Sequence, residues 1–183
     1  GDLGYQIAFQ TAFHGFKVVV YDVNEEVLSK AKSKFDVLAA SYKHDLHATD
    51  EQIEFTKSNL IYTDDLQAAL VNADLLIEAI PENPAIEADF YLCAGKLAPE
   101  HTIFVTNSST LLPSQFAQDT GRPDRFLALH FANTIWINNT AEVMGHPGTS
   151  PAIFDIIVDF AKAIGMVALP LHKEQPGYIL NTM

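Results

Sequence analysis

The feature that most constrains this chain is alternation: short apolar runs of strand length are separated by stretches with helical spacing. Val18, Val19 and Val20 stand in a row within residues 16–22, and the run stops at Asp22, which reads as a strand buried on both faces. Before it, Ile7, Ala8, Thr11 and Ala12 recur at helical spacing, and Gly15 sits where that helix would end. After it, Asn24 is a good N-cap with Glu25 and Glu26 in the first turn. Val27, Ala31, Phe35, Leu38 and Tyr42 then mark one face of a long helix.

The alternation continues with a short helix at 50–58, strands at 59–62, 73–80, 101–106, 125–131 and 140–145, and a last strand at 166–171. Helices are predicted at 64–71, 84–97 and 151–164, with a short one opened by Pro113 and the start of another at 177–183. Strands separated by helices imply βαβ units and a mostly parallel sheet, so the predicted class is α/β, doubly wound and Rossmann-type. No internal repeat or low-complexity linker divides the chain.

Composition narrows the function. The 183 residues carry 23 Asp and Glu against 11 Lys and Arg, a net charge of −12, which argues against a nucleic-acid partner because phosphate binding needs clustered cations. No run of about 18 apolar residues is present, so no membrane helix is expected. The single cysteine, Cys93, forms no internal disulfide and fits a reducing, cytoplasmic setting. It shares a helical stripe with Ile86, Phe90 and Leu97 and is expected to be a core thiol. His44 and His47 lack further ligands at metal spacing, so no metal site is expected.

Two groups of residues point to chemistry. Gly1 and Gly4, with Leu3 between them at a helix start, match the last two glycines of the dinucleotide fingerprint, where the backbone approaches a pyrophosphate at a positive helix terminus. Asp22 ends the next strand about 20 residues on, where a carboxylate accepts from an adenosine ribose and repels a 2′-phosphate, favouring NAD over NADP. His130 lies in an apolar strand, Glu142 stands in the next one, and Ser109 follows a strand end facing the same crevice. A histidine held by a carboxylate is a common way to place a general base near neutral pH. A Ser109–His130–Glu142 hydrolase triad is the poorer reading, because no G-x-S-x-G elbow surrounds Ser109. An NAD-binding protein without catalysis is a third.

The ordered segments EAIPEN (78–83), IFVTNSST (103–110), LHFAN (129–133), AEVMG (141–145) and PGYILN (176–181) resemble the L-3-hydroxyacyl-CoA dehydrogenase family, including its 3-hydroxybutyryl-CoA dehydrogenases, over almost the whole chain. The resemblance implies an oxidoreductase of fatty-acid metabolism that interconverts 3-hydroxyacyl-CoA and 3-oxoacyl-CoA with NAD. It implies His130 as base, Glu142 as its partner, and Ser109 and Asn181 as substrate-orienting groups. It also places Asp22, Glu82, Ser109 and Asn133 near NAD. Residues 1–175 would then be the NAD-binding domain without its first, central strand, and 176–183 the start of a helical C-terminal domain through which the family dimerises. The chain opens without Met on Gly1-Asp2-Leu3-Gly4, as expected of a domain trimmed at both ends.

Two departures bear on substrate. Glu87 stands where the family often carries a lysine five residues after the glutamate of the PEN motif, which predicts an anion beside the cofactor or CoA phosphates. That opens an alternative substrate, a small free hydroxy acid such as carnitine or a sugar acid. The family's HFFNP becomes HFANT (130–134), and Trp136 follows, so a reshaped pocket is expected.

Overall fold

A computed structural model describes residues 2–174; Gly1, Asn181 and the remainder of 176–183 lie outside the described residues. Helix α1 (Asp2–Phe13) is apolar on two sides. Tyr5, Phe9 and Ala12 pack with Val20, Phe35 and Tyr42, whereas Leu3 and Ile7 pack with Leu75, Ile77, Val105 and Leu129. A helix wedged between two apolar clusters has no single polar face, which is why its sequence shows little amphipathic contrast.

Gly15, at φ +95°, turns the chain out of α1 into β1 (Val18–Tyr21). The Asn24 side chain accepts from the Val27 N–H and starts α2 (Glu25–Leu46). Reciprocal bonds between Thr49 and Gln52 start α3 (Asp50–Ser58), which leads into β2 (Leu60–Thr63). Asp65 caps the short α4 (Leu66–Leu70), followed by β3 (Leu75–Glu78), α5 (Pro84–Leu97) and β4 (Ile103–Thr106). Two 3₁₀ turns (Pro113–Gln115 and Pro123–Arg125) precede β5 (Phe126–Phe131) and β6 (Thr140–Met144), and α6 (Pro151–Ala163) and β7 (Val167–Leu171) complete the described chain.

The strands form a parallel pair, β1-β2, and a five-stranded sheet in the order β3-β4-β5-β6-β7. Every ladder is parallel except β5-β6. The fold is therefore the expected α/β class with a mostly parallel, Rossmann-type sheet. β4 and β5 are buried along their whole length and β6 nearly so.

Two expectations about burial are corrected. β1 is not buried on both faces: Val19 is 42% exposed, and β3 is only half-buried over Leu75–Ile77. Among the described residues β1 and β3 each have a ladder partner on one side only, so the break between the two sheets leaves part of their apolar surface uncovered. The stripe containing Cys93 is not core either: Cys93 is exposed, as are Ile86 and Leu97. The face of α5 turned inward is Glu87, Tyr91 and Ala94. Tyr91 packs among Phe104, Phe116 and Phe126 and donates to Glu78 Oε1 at 2.7 Å. A glutamate in the inward stripe disguised it, so hydrophobicity alone favoured the neighbouring one.

Candidate active site

Residues 4, 5 and 6 of α1 meet three strand ends in turn. A Cβ on Gly4 would stand 3.3 Å from Ala79 Cβ, just beyond β3, a tight contact, so the helix packs closely on the strand at this glycine. The Tyr5 hydroxyl lies 3.4 Å from Asp22 Oδ2, just beyond β1. Gln6 Nε2 donates to Asn133 Oδ1 at 2.7 Å, beyond β5. The start of α1 is thereby set into the crevice at the carboxyl ends of the strands, where open α/β sheets bind their ligands. Asp22 presents a half-buried carboxylate whose Oδ1 accepts from the Val23 N–H at 2.8 Å. This donor set fits a dinucleotide: unpaired N–H groups at a helix start for pyrophosphate and a strand-end carboxylate for ribose hydroxyls.

Asn83 caps α5 by accepting from the Ala85 N–H at 3.0 Å, which fixes the turn carrying Glu82. Glu82 then bridges to the loop after β4: it accepts from the Ser109 N–H, the Ser109 hydroxyl at 2.9 Å and the Thr110 hydroxyl. Partial burial works against ionisation of Glu82, but these hydrogen bonds outweigh it and hold its carboxyl below the usual carboxylate range. Ser109 has one hydroxyl proton, and it is committed to Glu82. That arrangement does not suit a serine nucleophile, which needs its proton on a base.

His130 and Glu142 are direct partners in the antiparallel β5-β6 ladder. His130 Nδ1 lies 3.6 Å from Glu142 Oε1, within ion-pair reach and longer than a hydrogen bond, with the side chains 8% and 0% exposed. Burial pushes the imidazole below its ordinary pKa, and the Glu142 carboxylate opposes that shift. The ring is therefore neutral at pH 7, with Nδ1 turned to the carboxylate and Nε2 as the second nitrogen.

Three residues to which the sequence assigns no role support the site. Asn107 Oδ1 accepts from the Phe131 N–H at 3.1 Å and ties the end of β4 to the strand carrying His130. Glu78 accepts from the Thr106 and Tyr91 hydroxyls at 2.8 and 2.7 Å and from the Ile80 N–H at 2.9 Å, which fastens the ends of β3 and β4 together. Gln6 also accepts from the Thr134 N–H at 2.8 Å and pins the loop after β5. Each lies in a segment whose apolar pattern set the assignment, so nothing marked its polar partner.

Of the two substrate-related departures, the one at Glu87 resolves differently from expectation. Glu87 does not face a phosphate: it is fully buried beside Glu78, and burial together with that neighbouring carboxylate pushes its pKa up to about 9, so it is uncharged at neutral pH. Trp136 is engaged with α2, donating from Nε1 to Asp45 Oδ2 at 2.8 Å and packing on Tyr42. Among the described residues no cluster of His, Cys, Asp and Glu could hold a metal ion, and no helix is long and apolar enough to cross a membrane.

Comparison with known proteins places this geometry. Residues 1–175 match the family model of the 3-hydroxyacyl-CoA dehydrogenase NAD binding domain. The human mitochondrial hydroxyacyl-coenzyme A dehydrogenase is 35% identical, with 100% of this chain and 60% of that protein covered. A probable 3-hydroxybutyryl-CoA dehydrogenase of Bacillus subtilis is 28% identical over 99% of this chain and 62% of its own length. A solved structure described as "Substrate-directed dual catalysis of dicarbonyl compounds by diketoreductase" superposes with a TM-score of 0.98 at 52% identity, covering 100% of this chain and 65% of that one. The chain thus spans about three-fifths of the curated relatives it matches. With the dinucleotide crevice, the histidine–glutamate ladder pair and the family model agreeing over residues 1–175, the chain belongs to the 3-hydroxyacyl-CoA dehydrogenase family as its NAD-binding domain.

Proposed function

We propose that the protein containing this chain catalyses reversible, NAD-dependent oxidation of the C3 hydroxyl of a 3-hydroxyacyl-CoA. The observation that carries this reading is the buried His130–Glu142 pair, set in the strand next to the Ser109 loop and just ahead of Asn133. NAD, when bound, supplies the hydride acceptor. Asp22 holds its ribose hydroxyls, and the first turn around Gly1, Leu3 and Gly4 takes the pyrophosphate. Glu82 and Asn133 line the nicotinamide end.

His130 Nε2 takes the hydroxyl proton as hydride leaves C3, and Glu142 stabilises the resulting imidazolium. In the reverse direction His130 returns that proton to the new alkoxide. The Ser109 hydroxyl, anchored by Glu82, accepts from the substrate hydroxyl through its lone pairs, with Asn181 as second orienting group. The break between β1 and β3 supports a further strand at the sheet centre, and a helical C-terminal domain following residue 175 is the natural dimer surface.

A second substrate reading, a carbonyl compound without CoA, draws support from the 52% identical structure, whose description names dicarbonyl compounds. Glu87 lends it none, being buried and uncharged. The test is NADH oxidation by the full-length protein with acetoacetyl-CoA and, separately, with a free β-diketone. Turnover of acetoacetyl-CoA that is lost in His130→Ala supports the acyl-CoA reading. Turnover of the free diketone alone replaces it with the second, and NADH binding without turnover of either removes the enzyme reading.

A further inference from the structure

Gln6 sits half-buried in the second turn of α1, and its amide is tied to the loop after β5 at both ends. Its Oε1 accepts from the backbone N–H of Thr134 at 2.8 Å and of Ile135 at 3.3 Å. A main-chain N–H can only donate, so chemistry settles which end of the Gln6 amide faces it, and Nε2 must point the other way. Nε2 donates to Asn133 Oδ1 at 2.7 Å, and the Thr134 N–H donates to the same Oδ1 at 3.1 Å.

That accounting propagates one residue further. With two donors on Oδ1, Asn133 cannot exchange the ends of its amide, and Nδ2 must be the end left over. Asn133 is exposed, and among the described residues its Nδ2 donates to no protein acceptor. In the same loop Thr134 adopts φ +59°, a left-handed conformation that β-branched residues rarely take. The Asn138 side chain also clasps the Asn133 carbonyl at 2.9 Å.

We infer that Gln6 is a positioning residue: through hydrogen-bond polarity it compels Asn133, in the loop that follows the His130 strand, to present an amide donor, never a carbonyl, to a bound ligand. The matching ligand group is a carbonyl oxygen, either that of the nicotinamide carboxamide or that of the acyl substrate. This rests on the functional reading above.

The variant that separates polarity from packing is Gln6→Glu in the full-length protein. A glutamate still accepts from Thr134 and Ile135, so the loop stays pinned, but it cannot donate to Asn133 Oδ1. Asn133 then turns its Nδ2 to the carboxylate and its Oδ1 to the ligand. The expected result is an unchanged unfolding midpoint with kcat/KM reduced about tenfold or more, the scale of one lost hydrogen bond. Asn133→Asp keeps both Oδ bonds and also shows an oxygen to the crevice, so it should reproduce the same loss. A rise confined to the KM or Kd for NADH assigns the carbonyl to nicotinamide, and a rise confined to the KM for the acyl substrate assigns it to the substrate.

Wild-type kinetics in Gln6→Glu, alongside impaired Gln6→Ala, would show that Gln6 only clamps the loop and would overturn the inference. If Gln6→Glu does not fold, Asn133→Asp decides, and wild-type kinetics there overturns it equally. Where wild type binds NADH but turns over no substrate, the functional reading fails by itself and NADH fluorescence titration of the same variants still reads out Gln6. Absence of NADH binding by wild type sinks both.

Discussion

His130 and Glu142 face each other directly across an antiparallel ladder, Nδ1 3.6 Å from Oε1, with both side chains buried. Opposite residues in such a ladder have their Cβ atoms about 5 Å apart, so the backbone register itself delivers the imidazole to the carboxylate. Burial lowers the pKa of His130 and Glu142 opposes the change. Oxidation requires the neutral ring, so kcat/KM for oxidation should stay level above neutrality and fall on an acid limb below the ordinary histidine value of about 6.5. Glu142→Gln removes the opposing charge, leaves desolvation alone, and should move that limb to lower pH while reducing turnover. His130→Ala should cost about 10²–10⁴-fold. A pH profile unmoved by Glu142→Gln would contradict the coupling.

Glu87 predicts a stability effect of definite sign. Its folded-state pKa is raised to about 9, first by burial and then by Glu78, whereas an unfolded glutamate titrates near 4.3. Between those values the folded protein holds a proton that the unfolded chain has released, so stability falls as pH rises from about 4 to 9. Glu87→Gln has no proton to lose. It should therefore match wild type near pH 5 and exceed it at pH 9, by an amount on the order of 1–3 kcal/mol. Urea denaturation of both proteins at the two pH values reads the difference, and parallel pH curves would show that Glu87 is not buried uncharged.

Gly95 makes a counter-intuitive case. A glycine inside a helix is normally improved by alanine, by about 1 kcal/mol. Here a Cβ on Gly95 would stand 2.5 Å from the Thr120 carbonyl oxygen, a backbone atom that has little freedom to retreat. Arg122, two residues on, is buried, stacks on Phe104 and donates to the Gly95, Ala98, Pro99 and Thr102 carbonyls around the end of α5. Gly95→Ala should thus destabilise by about 1–3 kcal/mol through overpacking, seen as a lower thermal midpoint. A raised midpoint would show that the segment yields freely.

How much of this was legible in the sequence depends on what each signal measures. Strand and helix order came through because period and punctuation are local: Gly15 at φ +95°, Asn24, Asn83 and Pro84 act within a few residues of where they stand. His130 and Glu142 are legible together because two complementary ionisable side chains stand in otherwise apolar, consecutive strands. The inward face of α5 was not, since Glu87 and Tyr91 are buried against partners outside the helix, at Glu78 and, for Tyr91, across the fold at Phe126. Gln6 was invisible for the same reason: its partners are 127 to 129 residues away.

The choice of dinucleotide hinges on Asp22. Its carboxylate accepts from the Val23 N–H and lies against the Tyr5 hydroxyl, and Lys34 Nζ sits 4.7 Å from the centroid of that same ring. In the proposed complex the wild-type aspartate would accept from vicinal ribose hydroxyls and repel a 2′-phosphate. Asp22→Ser removes both effects and leaves Lys34, ion-paired with Asp2 at 2.6 Å, beside the strand end. NADH should then bind about tenfold more weakly, the scale of one charged hydrogen bond lost, while NADPH binding strengthens. Because the second effect is electrostatic and exposed to solvent, it should shrink between 50 mM and 500 mM salt while the loss for NADH persists. Fluorescence titration of both cofactors at the two salt concentrations separates the terms, and an unchanged NADH affinity would mean that the ribose is held elsewhere.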